Sequence, residues 1–258
     1  MQRDVMRSIG LLALIHLCLN ALVFWLGYYW LGVGESRTST LVWSACIALV
    51  VIASACWCYG SAFAYFQTQD RPTLAVAWKK ALRNLLPIAV AAVVVLMIYV
   101  LLARWAEYSS QPAFKTASYL TLRFRKPIRP STVSRIFDVA LWIVRWVALP
   151  VLLAPMFSAV AVRGWVGFRS IGARIRSGTT RRWLYWIEAP LLTLCAVWIP
   201  LKLLRWVPHM HGFRMEMLSF SLRAGLAYLL FAGAGLLLAF VTSGGRPRFT
   251  QSNTLASP

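Results

Sequence analysis

Acidic side chains are scarce in this chain. Its 258 residues hold 7 aspartates and glutamates against 27 lysines and arginines, a net charge of +20. Charged residues of both signs make up only 13%, about half the roughly 25% of a soluble globular domain. That shortage excludes an ordinary soluble enzyme, and 60% hydrophobic content excludes disorder. So few acids leave little for general acid–base catalysis, and no two share a segment with the spacing of a metal-dependent lipid transferase. His-Glu-x-x-His, Gly-x-Ser-x-Gly, a P-loop and a dinucleotide fingerprint are all missing. The expectation is a non-enzymatic protein with no cofactor. The five cysteines, Cys18, Cys46, Cys56, Cys58 and Cys195, all fall in apolar runs. They form no disulfide framework and read as small core residues.

What the chain does have is long apolar runs. A transmembrane helix needs about 20 mostly apolar residues to cross a core of about 30 Å. Six stretches meet that length: 11–31, 41–63, 85–102, 136–157, 183–204 and 217–241. Only Asp138, Arg145, Glu188, Lys202 and Arg223 carry charge inside them. Strands of a β-barrel alternate over about 10 residues and contain no such runs. The fold class is therefore all-α, a polytopic integral membrane bundle in a single domain over 1–242. The Gly-, Ser-, Thr- and Pro-rich tail 243–258 reads as disordered. The first run is too long for a signal-peptide core, which spans about 7–15 residues, and it ends in Trp25, Tyr28, Tyr29 and Trp30. It reads as a retained helix with an aromatic interfacial belt.

Basic residues set orientation through the short loops. The first ten residues, the two connectors after spans two and four, and the tail together hold 14 of them. The other side holds fewer, although the 103–135 loop alone has seven. The balance puts both termini in the cytoplasm. Arginine outnumbers lysine 22 to 5, which hints at a GC-rich bacterial genome, and the expected location is a bacterial inner membrane. Because the charge falls on both sides, nucleic acid is not the expected partner.

The connector between spans two and three reads as a basic amphipathic helix, with Asp70 as N-cap and Pro72 early in the helix. Leu74, Trp78, Ala81, Leu82 and Leu85 recur at helical spacing, with Lys79, Lys80 and Arg83 elsewhere on the wheel. The connector between spans four and five has a weaker stripe, Trp165, Phe168, Ile171 and Ile175, among Arg169, Arg174 and Arg176. These six basic residues are the expected contacts to anionic lipid headgroups. In the 103–135 loop, Leu120, Leu122 and Phe124 alternate with Thr121, Arg123 and Arg125. A period of two predicts an extended basic segment lying on the membrane.

Charges inside the bilayer are expensive and usually find partners. Asp138 and Arg145 are seven residues apart on span four, and counting depth from the span ends predicts an Arg145–Glu188 contact and an Arg223–Asp138 contact. Pro150 and Pro155 in span four, and Pro190 and Pro200 in span five, free backbone carbonyls of the kind that line transporter sites. In span six, Ser221-x-x-x-Gly225 and Gly235-x-x-x-Ala239 predict close internal helix packing. His209 and His211 are weak candidates for a soft metal, and a surface turn is the preferred reading.

Two functions compete. The first is a scaffold or accessory subunit held by anionic lipid and by other membrane subunits. The second is a small transporter or channel with a pathway near Arg145, Glu188 and Arg223. A polar cavity at Arg145 and Glu188 favours transport, and a dry helix interface favours the scaffold.

Overall fold

The computed structural model describes residues 2–34, 37–67, 73–170, 182–208 and 212–243. Over these it contains nine helices and no strand. They are α1 (Gln2–Leu31), α2 (Thr38–Gln67), α3 (Leu74–Arg83), α4 (Leu85–Tyr108), α5 (Ser110–Phe124), α6 (Pro130–Arg163), α7 (Trp165–Arg169), α8 (Tyr185–Arg205) and α9 (Phe213–Thr242). Six of these, α1, α2, α4, α6, α8 and α9, are long and apolar enough to cross a membrane. The protein is an all-α, multi-pass membrane bundle. Each predicted span falls within one of the six helices, except that Trp183 and Leu184 precede the first turn of α8. The proposed cap of α3, Asp70 and Pro72, lies outside the described residues, as do 244–258 of the tail.

The 103–135 segment differs from its expectation. In place of an extended strand it forms the end of α4, all of α5 and the start of α6. Ala113, Ala117 and Leu120 recur at helical spacing and pack with Ile128, Val133 and Phe137. The apparent alternation over 120–125 straddles a helix end. Arg125 adopts the left-handed conformation that closes α5 (φ 53°), and the Ile128 N–H donates to Thr121 Oγ1 at 3.1 Å to tie the turn. Pro130 then opens α6 at a position where its missing N–H is no loss. A hairpin partner thus decided a segment whose local pattern pointed elsewhere.

Tight packing is concentrated at the end of the bundle nearest the two basic connectors. The largest core cluster joins Cys56, Ala62 and Phe63 of α2, Ile88 and Ala91 of α4, Met156, Val160 and Ala161 of α6, and Ala239 of α9. Small residues let the backbones approach. Ile88 Cδ1 would lie 2.7 Å from a Cβ placed on Gly60, with the Ala81 methyl at 3.6 Å. Ala77 packs with Ala64 and Tyr65. The chain leaving α2 therefore folds back as α3 along the last turns of α2. The second connector begins the same way. Gly167 of α7 lies so close to Ala159 and Val160 that a Cβ there would meet the Ala159 carbonyl oxygen at 2.7 Å.

Towards the opposite end the helices lose their neighbours. No residue of α4 beyond Ala91 is buried, and Leu96, Met97, Val100 and Leu101 are all exposed. Trp30 Nε1 donates to Ser44 Oγ at 2.8 Å, closing the α1–α2 hairpin there. Both α6 and α8 carry a π turn, Val144–Ala148 and Leu194–Trp198, each ending two residues before a proline, Pro150 and Pro200. A proline ring collides with the carbonyl four residues back and offers no N–H. Widening the turn to a five-residue register relieves that collision.

Candidate functional site: membrane charges and the basic face

The two predicted ion pairs are not formed. Arg145, half-buried at the π turn of α6, sets its guanidinium carbon 5.8 Å above the ring of Tyr99 on α4 and 6.0 Å from that of Trp146. Cation–π contact of this kind needs no carboxylate. Tyr99 also donates through its hydroxyl to the Arg145 carbonyl at 3.0 Å. Glu188 is half-buried on α8 and its side chain makes no hydrogen bond or ion pair among the described residues. The start of α8 does pack near this part of α6, through Tyr185 and Ala189 against Val151. The reason for the mismatch is direction: Arg145 points to α4 while α8 occupies another side of α6.

Arg223 has a different role. Its Nε donates to the Ser219 carbonyl on its own helix at 3.2 Å, and its Nη1 reaches the carbonyls of Leu203, at 3.4 Å, and Trp206. These are carbonyls at the end of α8, which have no N–H donors of their own. A guanidinium there satisfies them and also complements the negative end of the helix dipole. Asp138, its predicted partner, is exposed on α6. Counting residues along the chain gave depth but could not give the azimuth of each side chain. An ion pair joins Arg104 and Glu107, at 3.6 Å, one turn apart near the end of α4.

The basic face holds the remaining candidates. On α3, Ala77 and Ala81 are buried, Lys79 and Arg83 are exposed, and Lys80 is half-buried. On α7, Arg169 is exposed while Gly167 is buried. The structure brings the two connectors together through Asn84. Its Nδ2 donates to the Ala161 carbonyl at 3.0 Å, and its Oδ1 lies 2.8 Å from where a Cβ on Gly164 would be. Gly164 has φ +60°, a conformation that suits glycine. Arg174 and Arg176 lie outside the described residues, as do His209 and His211.

One cluster was not read from the sequence as a site. His16 and Asn20 on α1 are both buried, one turn apart, against Cys58 and Tyr59 of α2. The Cys58 sulfur lies 3.2 Å from His16 Nδ1, and Asn20 Nδ2 donates to the His16 carbonyl at 2.8 Å. Tyr59 donates to Asn20 Oδ1 at 3.0 Å, and Tyr228 of α9 donates to the Leu17 carbonyl. This polar knot joins α1, α2 and α9 within otherwise apolar surroundings. The four-residue spacing of His16 and Asn20 was the available signal. Among the described residues no group of three or more His, Cys, Asp and Glu side chains is placed to hold a metal.

Compared with models of protein families, with curated proteins and with solved structures, the chain matches none.

Proposed function

We propose that this protein is a non-enzymatic scaffold or accessory subunit of a cell membrane, with both termini in the cytoplasm, as in a bacterial inner membrane. Its partners are anionic phospholipid and other membrane subunits. The observation that carries this reading is the use made of the deep arginines. Arg145 rests on aromatic rings and Arg223 closes the end of a neighbouring helix. Both are engaged as structural fasteners, and the helices meet through an apolar core that includes Ala62, Ile88, Ala91, Met156 and Val160, with Gly60 against Ile88. Outside the core, α3 turns small residues to α2 and basic residues outward, the arrangement that attracts anionic headgroups.

The test is reconstitution of the full chain into liposomes and nanodiscs. Phosphatidylglycerol should raise the unfolding temperature relative to phosphatidylcholine alone. Liposomes containing the protein should release or take up ions and small solutes no faster than empty ones. A flux that disappears in Arg145→Ala would overturn the scaffold reading and establish transport.

A further inference from the structure

We propose that Arg83 and Arg163 together grip the phosphate of one anionic glycerophospholipid, at a site that exists only because Asn84 clamps the two connectors to each other. This rests on the lipid-binding reading above and sharpens it from a diffuse basic face to a place.

Three observations converge. First, each arginine is the immediate chain neighbour of a clamped residue. Arg83 precedes Asn84 and Arg163 precedes Gly164, and the Asn84 side chain touches both the Ala161 carbonyl and the space beside Gly164. Two arginine side chains starting one residue from the same contact can reach a common anion. Second, both guanidiniums are free to do so. Arg83 and Arg163 are exposed, and neither makes an ion pair or side-chain hydrogen bond among the described residues. Unpaired guanidiniums suit phosphate, whose oxygens accept parallel N–H bonds.

Third, the neighbourhood fits an amphiphile better than a free ion. Leu82 and Leu86 flank Arg83 with 59% and 66% of their surface exposed, and Val166 stands beside Arg163 at 62%. Trp165, whose ring is tilted against that of Phe168, is also exposed. Apolar side chains next to an arginine pair, with an indole at the same level, place acyl chains beside the phosphate they belong to.

The two sources of phosphate are separable in one experiment. The purified full-length chain is titrated in neutral detergent with dihexanoyl phosphatidylglycerol, dihexanoyl phosphatidylcholine or glycerol 3-phosphate, and apparent affinity is read from the unfolding temperature. Phosphatidylglycerol should bind more tightly than the other two. Arg83→Gln and Arg163→Gln should each weaken it by about fivefold, the equivalent of about 1 kcal/mol per basic residue. Arg83→Gln/Arg163→Gln should weaken it by less than the product of the single effects, because both side chains serve one phosphate. Lys115→Gln, on α5, should leave the affinity unchanged. If the two substitutions multiply independently, the shared site is wrong while general attraction of anionic lipid stands. If phosphatidylglycerol shows no preference over phosphatidylcholine, both readings fall. Equal binding of glycerol 3-phosphate would overturn the lipid assignment.

Discussion

The hydroxyl of Tyr185 donates to the carbonyl of Val151 at 2.9 Å, and Val151 sits four residues before Pro155. A proline returns no N–H to that carbonyl, and an unsatisfied backbone group in hydrocarbon costs several kcal/mol. Tyr99 does the same for Arg145, five residues before Pro150, the spacing that the π turn at Val144–Ala148 requires. The two prolines of α6 are thus each served by a tyrosine from a neighbouring helix, α8 and α4. Tyr185→Phe should lower stability by about 1–3 kcal/mol, the range for stranding a buried polar group. Tyr99→Phe should act in the same direction. Unfolding by heat or detergent in micelles measures both, and unchanged stability in Tyr185→Phe would show that Val151 finds another donor.

Close helix contact makes a second prediction. A Cβ on Gly235 would meet Tyr59 Cε1 at 2.7 Å, and that ring is fixed by its hydrogen bond to Asn20. Gly235→Ala should therefore destabilise by about 1–3 kcal/mol through overpacking. Gly233, two residues away, has nothing within 4 Å of its Cβ position. There alanine should be neutral or stabilising by up to about 1 kcal/mol, from helix propensity alone. The same thermal assay separates them, and equal effects would contradict the packing.

Arg145 and Glu188 should behave as strangers. A double-mutant cycle of Arg145→Gln and Glu188→Gln should give a coupling below about 0.5 kcal/mol, as for residues that do not touch. Charge exchange between the two positions should rescue nothing. Arg145 should instead couple to Tyr99, where the ring contact is.

The buried knot on α1 gives a fourth expectation. Removing the amide in Asn20→Leu leaves the Tyr59 hydroxyl without its acceptor, a loss of about 1–3 kcal/mol. Adding Tyr59→Phe should recover part of it, because two apolar groups replace a matched polar pair. A double variant worse than the sum of the singles would exclude this hydrogen bond as the source.

Topology can be checked with single cysteines in a background lacking the native five. With six spans, position 79 on α3 and position 115 on α5 face opposite sides of the membrane, and each should label with an impermeant maleimide from one side alone. Labelling of both from the same side would remove a span from between them.

Much of the architecture was legible because the bilayer imposes a simple rule. Runs such as 85–102, without a single charge, have no other stable place to go. The helix of the α3 connector was equally plain from the spacing of Leu74, Trp78, Ala81, Leu82 and Leu85 against Lys79, Lys80 and Arg83, although the buried side is set by Ala77 and Ala81 and Leu82 is exposed. The α5 segment was misread because its apolar residues at 120, 122 and 124 span a helix end, and the partner that selects helix, Val133, is distant in sequence.

The sequence by itself determined that this chain lives in a membrane, how many times it crosses, and which few charged side chains enter with it. Those follow from hydrophobicity and length, which act locally along the chain. Tertiary structure alone decided what the charged and polar groups do. Arg145 turns to Tyr99 and Arg223 to the last carbonyls of α8, while His16 and Asn20 meet Cys58 and Tyr59. Such pairings depend on the rotation of each helix about its axis, which is fixed by packing against neighbours and by the carbonyls that prolines release.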